Sequence, residues 1–151
     1  MSPASKNTAI FDVDGTLMDS SEHFHLLDST PLGHTENLYE YHSRALNSPP
    51  RESVVALSRV LWEAGVRVVI VTSRYNNFLY ETVEWLKAHN IYYDELYMRD
   101  ATDDRTHYLV KKDILNVLKS KGYNILLAVD DNPEIIKLWQ ENDIVSAHMP
   151  V

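Results

Sequence analysis

Three apolar runs in this sequence of 151 residues stop at polar groups suited to phosphate and cation chemistry. The run Ala9-Ile10-Phe11 ends in Asp12-Val13-Asp14-Gly15-Thr16, "VVIV" (68–71) ends in Thr72-Ser73-Arg74, and "ILLAV" (125–129) ends in Asp130-Asp131 before Asn132-Pro133. Short apolar runs halted by acidic residues, glycine or proline read as buried strands ending in turns, which puts each polar group at a strand's carboxyl end. If the three strands are parallel neighbours, these groups all meet at one edge, where open α/β sheets hold their ligands. Four carboxylates gathered there repel one another, which raises their pKa values and destabilises the fold unless a cation sits among them. Mg2+ suits such a place, because it takes a few carboxylate oxygens together with water and substrate phosphate.

The intervening segments supply the elements that must position these groups. Val54, Val55, Leu57, Ser58, Leu61 and Trp62 recur at helical spacing between Arg51 and Ala64, with Pro49-Pro50 before them and Gly65 after them as a C-terminal cap. "VRVVIVT" (66–72) is too apolar for anything but a central strand. Phe78, Leu79, Val83 and Leu86 mark a second helix ending near His89-Asn90, and "IYYDELYM" (91–98) reads as a short strand. A third helix runs from about His107 to Lys119 and stops by Gly122; "YNILLAV" (123–129) is the next buried strand. Pro133 opens a fourth helix containing Ile135, Ile136, Leu138 and Trp139, and "DIVSAHM" (143–149) is the last strand. This alternation predicts an α/β fold with a doubly wound, mostly parallel, Rossmann-like sheet and right-handed crossovers. Residues 18–50 break the pattern: they hold His23, His25 and His34, several aromatics and Pro31, with weak helical periodicity from Leu38 to Leu46. A loop of that length in a compact domain reads as a small cap or lid inserted over the strand ends of a single domain, 1–151.

Composition narrows the chemistry further. There is no cysteine, so thiolate nucleophiles, thiolate metal sites and disulfides are excluded, and carboxylates, hydroxyls, histidines and lysines remain. The N-terminal "MSPASKNT" has no signal-peptide character and no run approaches the roughly 20 apolar residues of a membrane span, so the expectation is an intracellular, cytoplasmic protein with no membrane partner. The formal net charge of −8 disfavours an extended track for nucleic acid and favours a divalent cation.

In this order the residues resemble the haloacid dehalogenase (HAD) superfamily of phosphotransferases. "DVDGT" matches its Asp-x-Asp-x-Thr motif, Thr72 its strand-end Ser or Thr, Lys111 or Lys112 its lysine, and Asp130-Asp131 its acidic pair, so the motifs span most of the chain. Within the superfamily, "FDVDGTL", "VVALSRVLWEAGVRVVIVTSR", "LVKKDIL" and "LAVDDNPEIIKLWQENDI" are similar to the phosphatase half of phage polynucleotide kinase-phosphatases. The resemblance implies that Asp12 is a nucleophile forming an aspartyl-phosphate. Asp14 then protonates the leaving oxygen, later takes a proton from water, and lends its backbone carbonyl to Mg2+. It implies metal binding through Asp12, Asp14, Asp130 and Asp131, with Asp131 the direct ligand and Asp130 the supporting one. Thr72 offers a hydroxyl and N–H to the phosphoryl group, Ser73 stands where the phage enzymes have glycine, and Arg74 clamps a phosphate. Lys111 shares a helical face with Leu115 and Leu118, whereas Lys112 lies with Asn116 and Lys119, so Lys111 takes the charge-stabilising role. His107 replaces an acidic residue that the phage enzymes place four positions before that lysine.

Other readings stand beside these. Asp130 and Asp131 also suit N-capping of the helix that Pro133 opens, and Arg74 also suits an ordinary exposed arginine. A receiver-type signalling domain uses similar groups, but carries its acidic pair after the first strand rather than a late one. A degenerate phosphatase-like binding module is the other non-enzymatic alternative. The expected activity is Mg2+-dependent hydrolysis of phosphomonoesters on 3′-phosphate ends of nucleic acid or nucleotides, with 5′-nucleotides or small metabolites as the alternative substrates. No Walker-type "GxxxxGK[ST]" for a kinase occurs in the sequence.

Overall fold

The computed structural model describes residues 6–20 and 47–150. His23, His25, His34 and the expected cap between them and Leu46 lie outside the described residues. Five strands, β1 (Asn7–Phe11), β2 (Arg67–Tyr75), β3 (Glu95–Arg99), β4 (Asn124–Asp130) and β5 (Ser146–His148), form one sheet in the order β3-β2-β1-β4-β5. Every pairing in it is parallel. Between the strands run α1 (Glu52–Glu63), α2 (Leu79–Ala88), α3 (His107–Ser120) and α4 (Pro133–Glu141), with a 3-10 turn at Asn76–Phe78.

Two cores sandwich the sheet, and the strand period of two decides which residue enters which. Ala9, Phe11, Val68 and Ile70 face Val54 and Val55 of α1 and Trp85 and Leu86 of α2. Ile10, Val69 and Val71 face Val110, Ile114, Leu115 and Leu118 of α3 and Ile135, Leu138 and Trp139 of α4. Strands buried on both faces read as continuous apolar runs, which is why β1, β2 and β4 were legible as such. The chain leaves β1 towards β2 on one side and places β4 on the other, so the carboxyl end of β1 lies at the topological switch point, the crevice in which such sheets hold ligands.

Three bounds differ from the sequence reading; the smallest is at the end, where of "DIVSAHM" (143–149) only Ser146–His148 is strand and Ile144 is buried in the second core. Of "IYYDELYM" only the part from Glu95 is strand. Ile91 is buried in the core beneath α2, and Asp94 exchanges two bonds with Val68, its N–H to the Val68 carbonyl (2.8 Å) and its carboxylate from the Val68 N–H (2.9 Å). Tyr92 is exposed beside Trp62 of α1, with ring centres 5.9 Å apart, and Tyr93 packs against the first core, so the aromatic residues of 91–94 serve packing and not strand pairing. β2 runs on past Thr72 to Tyr75, because the strand bulges and then rejoins β3: Val71 pairs with Tyr97 and Tyr75 with Arg99, so Thr72, Ser73 and Arg74 stand opposite Met98 alone. No helix among the described residues is long and apolar enough to cross a membrane.

Candidate active site

The turn after β1 is drawn tight by its own backbone. Met18 N–H donates to the Val13 carbonyl (2.9 Å), Thr16 N–H to the same carbonyl (3.1 Å) and Gly15 N–H to the Met18 carbonyl (2.9 Å), while Leu17 and Met18 anchor it in the core. Gly15 has φ of +78°, and a Cβ there would lie 2.1 Å from Asp131 Oδ2. Both the left-handed backbone and the approach of a carboxylate from the β4 end require glycine. The turn leaves Asp12 pointing into the crevice, 6% exposed, with Thr16 Oγ1 donating to its Oδ2 at 3.3 Å.

Lys111 reaches the same crevice from α3. Its face of the helix carries Leu115 and Leu118 into the core, and its ammonium donates to Asp12 Oδ1 (3.1 Å) and Asp130 Oδ2 (2.6 Å). Lys112, one residue on, is exposed, 6.0 Å from the centre of the Tyr108 ring. Burial works against the charge on Lys111, but Asp12 and Asp130 outweigh it and hold its pKa above the usual lysine value.

Asp12, Asp130 and Asp131 each place a carboxylate oxygen within 4.8 Å of the other two. Burial first and Asp130 second raise the pKa of Asp12 well above the ordinary carboxylate value, against the pull of Lys111. Asp131 is pushed up to about 6, again by burial and then by Asp130. Three crowded carboxylates facing one ammonium are short of positive charge, and all-oxygen donors of this kind fit a hard divalent cation. Asp12, Asp130 and Asp131 can hold one. The capping of α4 falls to Asn132, whose side chain accepts from the Glu134 N–H (2.9 Å), so neither aspartate is needed for that task. Asp130 Oδ1 accepts from the Asn132 N–H (3.0 Å), which fixes its orientation.

Asp14 stands apart from the three. Its carboxylate receives Arg74 Nε (2.8 Å) and Nη2 (2.7 Å) in a bidentate pair, and Arg74 is fully buried. The structure thus places Arg74 on Asp14, where the sequence suggested a phosphate; a guanidinium fork fits either anion. Arg74 Nη1 is buried with no partner among the described residues. Thr72, also fully buried, accepts the Arg74 N–H on its Oγ1 (3.1 Å) within the bulge, and Ser73 is partly exposed beside it.

One arginine escaped the sequence reading. Arg99, at the end of β3, is 4% exposed, and its Nε donates to the Ser73 carbonyl (3.1 Å). Its Nη1 donates to the carbonyls of Asp103 (3.1 Å) and Arg105, and its Nη2 lies 3.4 Å from His107 Nδ1. His107 keeps an exposed edge, yet the protein around its ring, and then Arg99 and Lys111, push it down to about 4, so it faces Arg99 as a neutral acceptor. The available signal was position: Arg99, like Asp130, ends a parallel strand, and Asp12 directly follows one.

Comparison with known proteins agrees with this geometry. The family model for the polynucleotide kinase PNKP phosphatase domain matches residues 6–149. Among solved structures, the Pnkp1/Rnl/Hen1 complex contains a chain similar to this one with a TM-score of 0.79 and 22% identity, over 97% of this chain and 47% of that one. A hydrolase from Streptococcus pneumoniae TIGR4 matches with a TM-score of 0.62 and 19% identity, over 93% of this chain and 90% of that one. A class C acid phosphatase from Bacillus anthracis with tungstate bound matches with a TM-score of 0.68 and 14% identity, over 97% and 67%. This chain spans less than half the length of the chains it matches in the Pnkp1/Rnl/Hen1 structures. No curated protein matches at a significant level. With the family model covering nearly all of the sequence, the chain belongs to the HAD-type family of polynucleotide kinase PNKP phosphatase domains.

Proposed function

We propose that this chain is a divalent-cation-dependent phosphomonoesterase that works through an aspartyl-phosphate on Asp12 and acts on the 3′-phosphates of nucleotides or nucleic acid ends. The observation that carries the reading is the seating of Asp12 among Lys111, Asp130 and Asp131, two residues before an aspartate held on a separate arginine.

An Asp12 carboxylate oxygen attacks phosphorus, the bond from phosphorus to the ester oxygen breaks, and Asp14 delivers a proton to that oxygen as it leaves. Water then attacks phosphorus, Asp14 takes its proton, and phosphate departs with Asp12 restored. The pair with Arg74 suits the second half, because the paired Asp14 is a carboxylate; the first half needs a carboxyl there and hence release of one of Arg74's two bonds. Lys111 holds Asp12 in place, and its charge offsets the negative charge of the phosphoryl group. A bound Mg2+ would neutralise both carboxylate and phosphate, which lets two anions approach. Asp12, Asp130 and Asp131 are its side-chain ligands in this reading, with the Asp14 carbonyl as a further one. In this reading Thr72 would offer its hydroxyl and N–H to the phosphoryl oxygens.

Release of phosphate from an aryl phosphate, with Mg2+ and with EDTA, separates an enzyme from a binding module or a receiver-like acceptor, neither of which turns over. A panel of 3′- and 5′-phosphorylated mononucleotides, short oligonucleotides and sugar phosphates then fixes the class. Preference for 3′-phosphates is the expected result; preference for 5′-nucleotides or sugar phosphates overturns the substrate assignment and leaves the chemistry.

A further inference from the structure

We propose that Arg99 is a positioning residue for phosphoryl transfer: it plugs the bulge in β2 and thereby sets the turn Thr72-Ser73-Arg74 against the helix that carries Lys111. The inference rests on the reading of this site as a phosphatase. A bulge leaves backbone groups outside the ladder, and bulges near sites re-aim the side chains they carry. Here three residues of β2 oppose Met98 alone, and the Ser73 carbonyl takes a side-chain donor, Arg99 Nε at 3.1 Å. The rest of the same guanidinium binds the segment that leads into α3: the carbonyls of Asp103 and Arg105, and His107 Nδ1 in the first turn of the helix. Lys111 lies one turn further along that helix, and Thr106 caps it, accepting from the Leu109 N–H. One buried, fork-shaped cation therefore fixes the distance between the two segments that bring Thr72 and Arg74 from one side and Lys111 from the other. The guanidinium carbon also lies 5.3 Å from the centre of the Tyr75 ring, within cation–π range. A lysine has the charge but not the fork, so it can satisfy one of these acceptors at a time. None of Arg99's hydrogen-bond partners belongs to the acidic cluster, so its loss is felt directly at the phosphoryl-binding turn and reaches the cation ligands only through Lys111.

The test compares wild type, Arg99→Lys and Arg99→Gln for thermal unfolding, for turnover of an aryl phosphate as a function of Mg2+, and for binding of tungstate in the presence of Mg2+ by calorimetry. Misplacement of reacting groups by about 1 Å costs up to about 100-fold in rate. The expected result is therefore a roughly 10- to 100-fold loss of turnover in Arg99→Lys with weakened tungstate binding, measured below a melting temperature that the stranded acceptors lower, and a half-saturating Mg2+ concentration that shifts far less than turnover. Lower melting temperatures with unchanged turnover and tungstate affinity would reduce Arg99 to a structural brace and overturn the proposal. A wild-type protein that binds tungstate without turning over would overturn the phosphatase reading alone, and the tungstate affinities of the variants would still decide for or against Arg99. A wild-type protein that does neither would overturn both.

Discussion

Lys111 is buried between Asp12 and Asp130, so its removal acts on two quantities at once. Lys111→Ala leaves two buried carboxylates without their counter-charge, a change that costs about 3–5 kcal/mol of stability, and it removes a preorganised cation, worth about 100-fold or more in turnover. Lys112→Ala changes neither appreciably. Turnover and melting temperature of the two variants check this, and the opposite ranking would contradict it. This distinction was legible in the sequence because a helix period of 3.6 separates adjacent residues by about 100°. The partner of Arg74 was not legible: the fork reads two oxygens in a plane, and only the fold decides whether they belong to Asp14 or to a ligand. A second consequence concerns protons. Asp131 titrates near 6 in the folded chain against an ordinary 3.8, so the folded state holds a proton that the unfolded state gives up. The stabilisation from that proton is complete below about 3.8 and is lost as pH rises through about 6. In EDTA, Asp131→Asn should therefore match wild type near pH 4 and exceed it in stability by on the order of 1–3 kcal/mol near pH 7. Mg2+ should reverse that advantage if Asp131 is the cation ligand proposed above, since only the wild type then keeps that carboxylate. Melting curves across that pH range check it; a variant less stable than wild type in EDTA at neutral pH would contradict the crowding of these carboxylates.

At the scale of elements, the edge strand β3 is tied to the rest of the sheet by side chains at its start as well as by the bulge at its end. Glu95 accepts from Lys121 in the turn after α3 (2.6 Å), from the hydroxyls of Tyr97 and Tyr123 (2.6 Å each) and from Arg67 of β2 (3.4 Å). Burial alone would raise its pKa, but these donors win and lower it to about 2. The carboxylate therefore stabilises the fold above its ordinary value of 4.5, and that contribution is lost as pH falls towards 2. Glu95→Gln should cost about 1 kcal/mol at neutral pH, allowing for solvent screening, and the gap to wild type should close in acid. Urea melts at pH 7 and pH 3 check it, and a gap that widens in acid would contradict the assignment. The alternation of strands and helices, the parallel sheet and the four described helices followed from apolar period and from Gly and Pro signals; the strand order did not. Residues 91–94 did not, because Ile91, Tyr92 and Tyr93 have strand-like composition while Ile91 is spent on the core under α2. Arg99 escaped for a related reason: three of its four acceptors are backbone carbonyls, and a backbone carbonyl has no residue type to announce it.

For the molecule as a whole, a formal charge of −8 with 14 Lys and Arg limits how far the proposed site could follow a nucleic acid strand. Few phosphates can be neutralised, so binding releases few counterions and gains little from length. Catalytic efficiency towards 3′-phosphorylated oligonucleotides should therefore level off after the first one or two nucleotides and fall only weakly with added salt; a steep rise with length would reveal a basic track. The central claim, however, is that Asp12 is the nucleophile of a metal-dependent phosphatase. Its most direct test is Mg2+-dependent phosphate release from a 3′-phosphorylated dinucleotide by wild type and Asp12→Asn, at matched folded concentration. The account predicts turnover by wild type that EDTA abolishes, and no turnover above background by Asp12→Asn, whose amide cannot form the aspartyl-phosphate. Retention of more than about a few per cent of wild-type activity by Asp12→Asn, where loss of a true nucleophile costs many orders of magnitude, would contradict it.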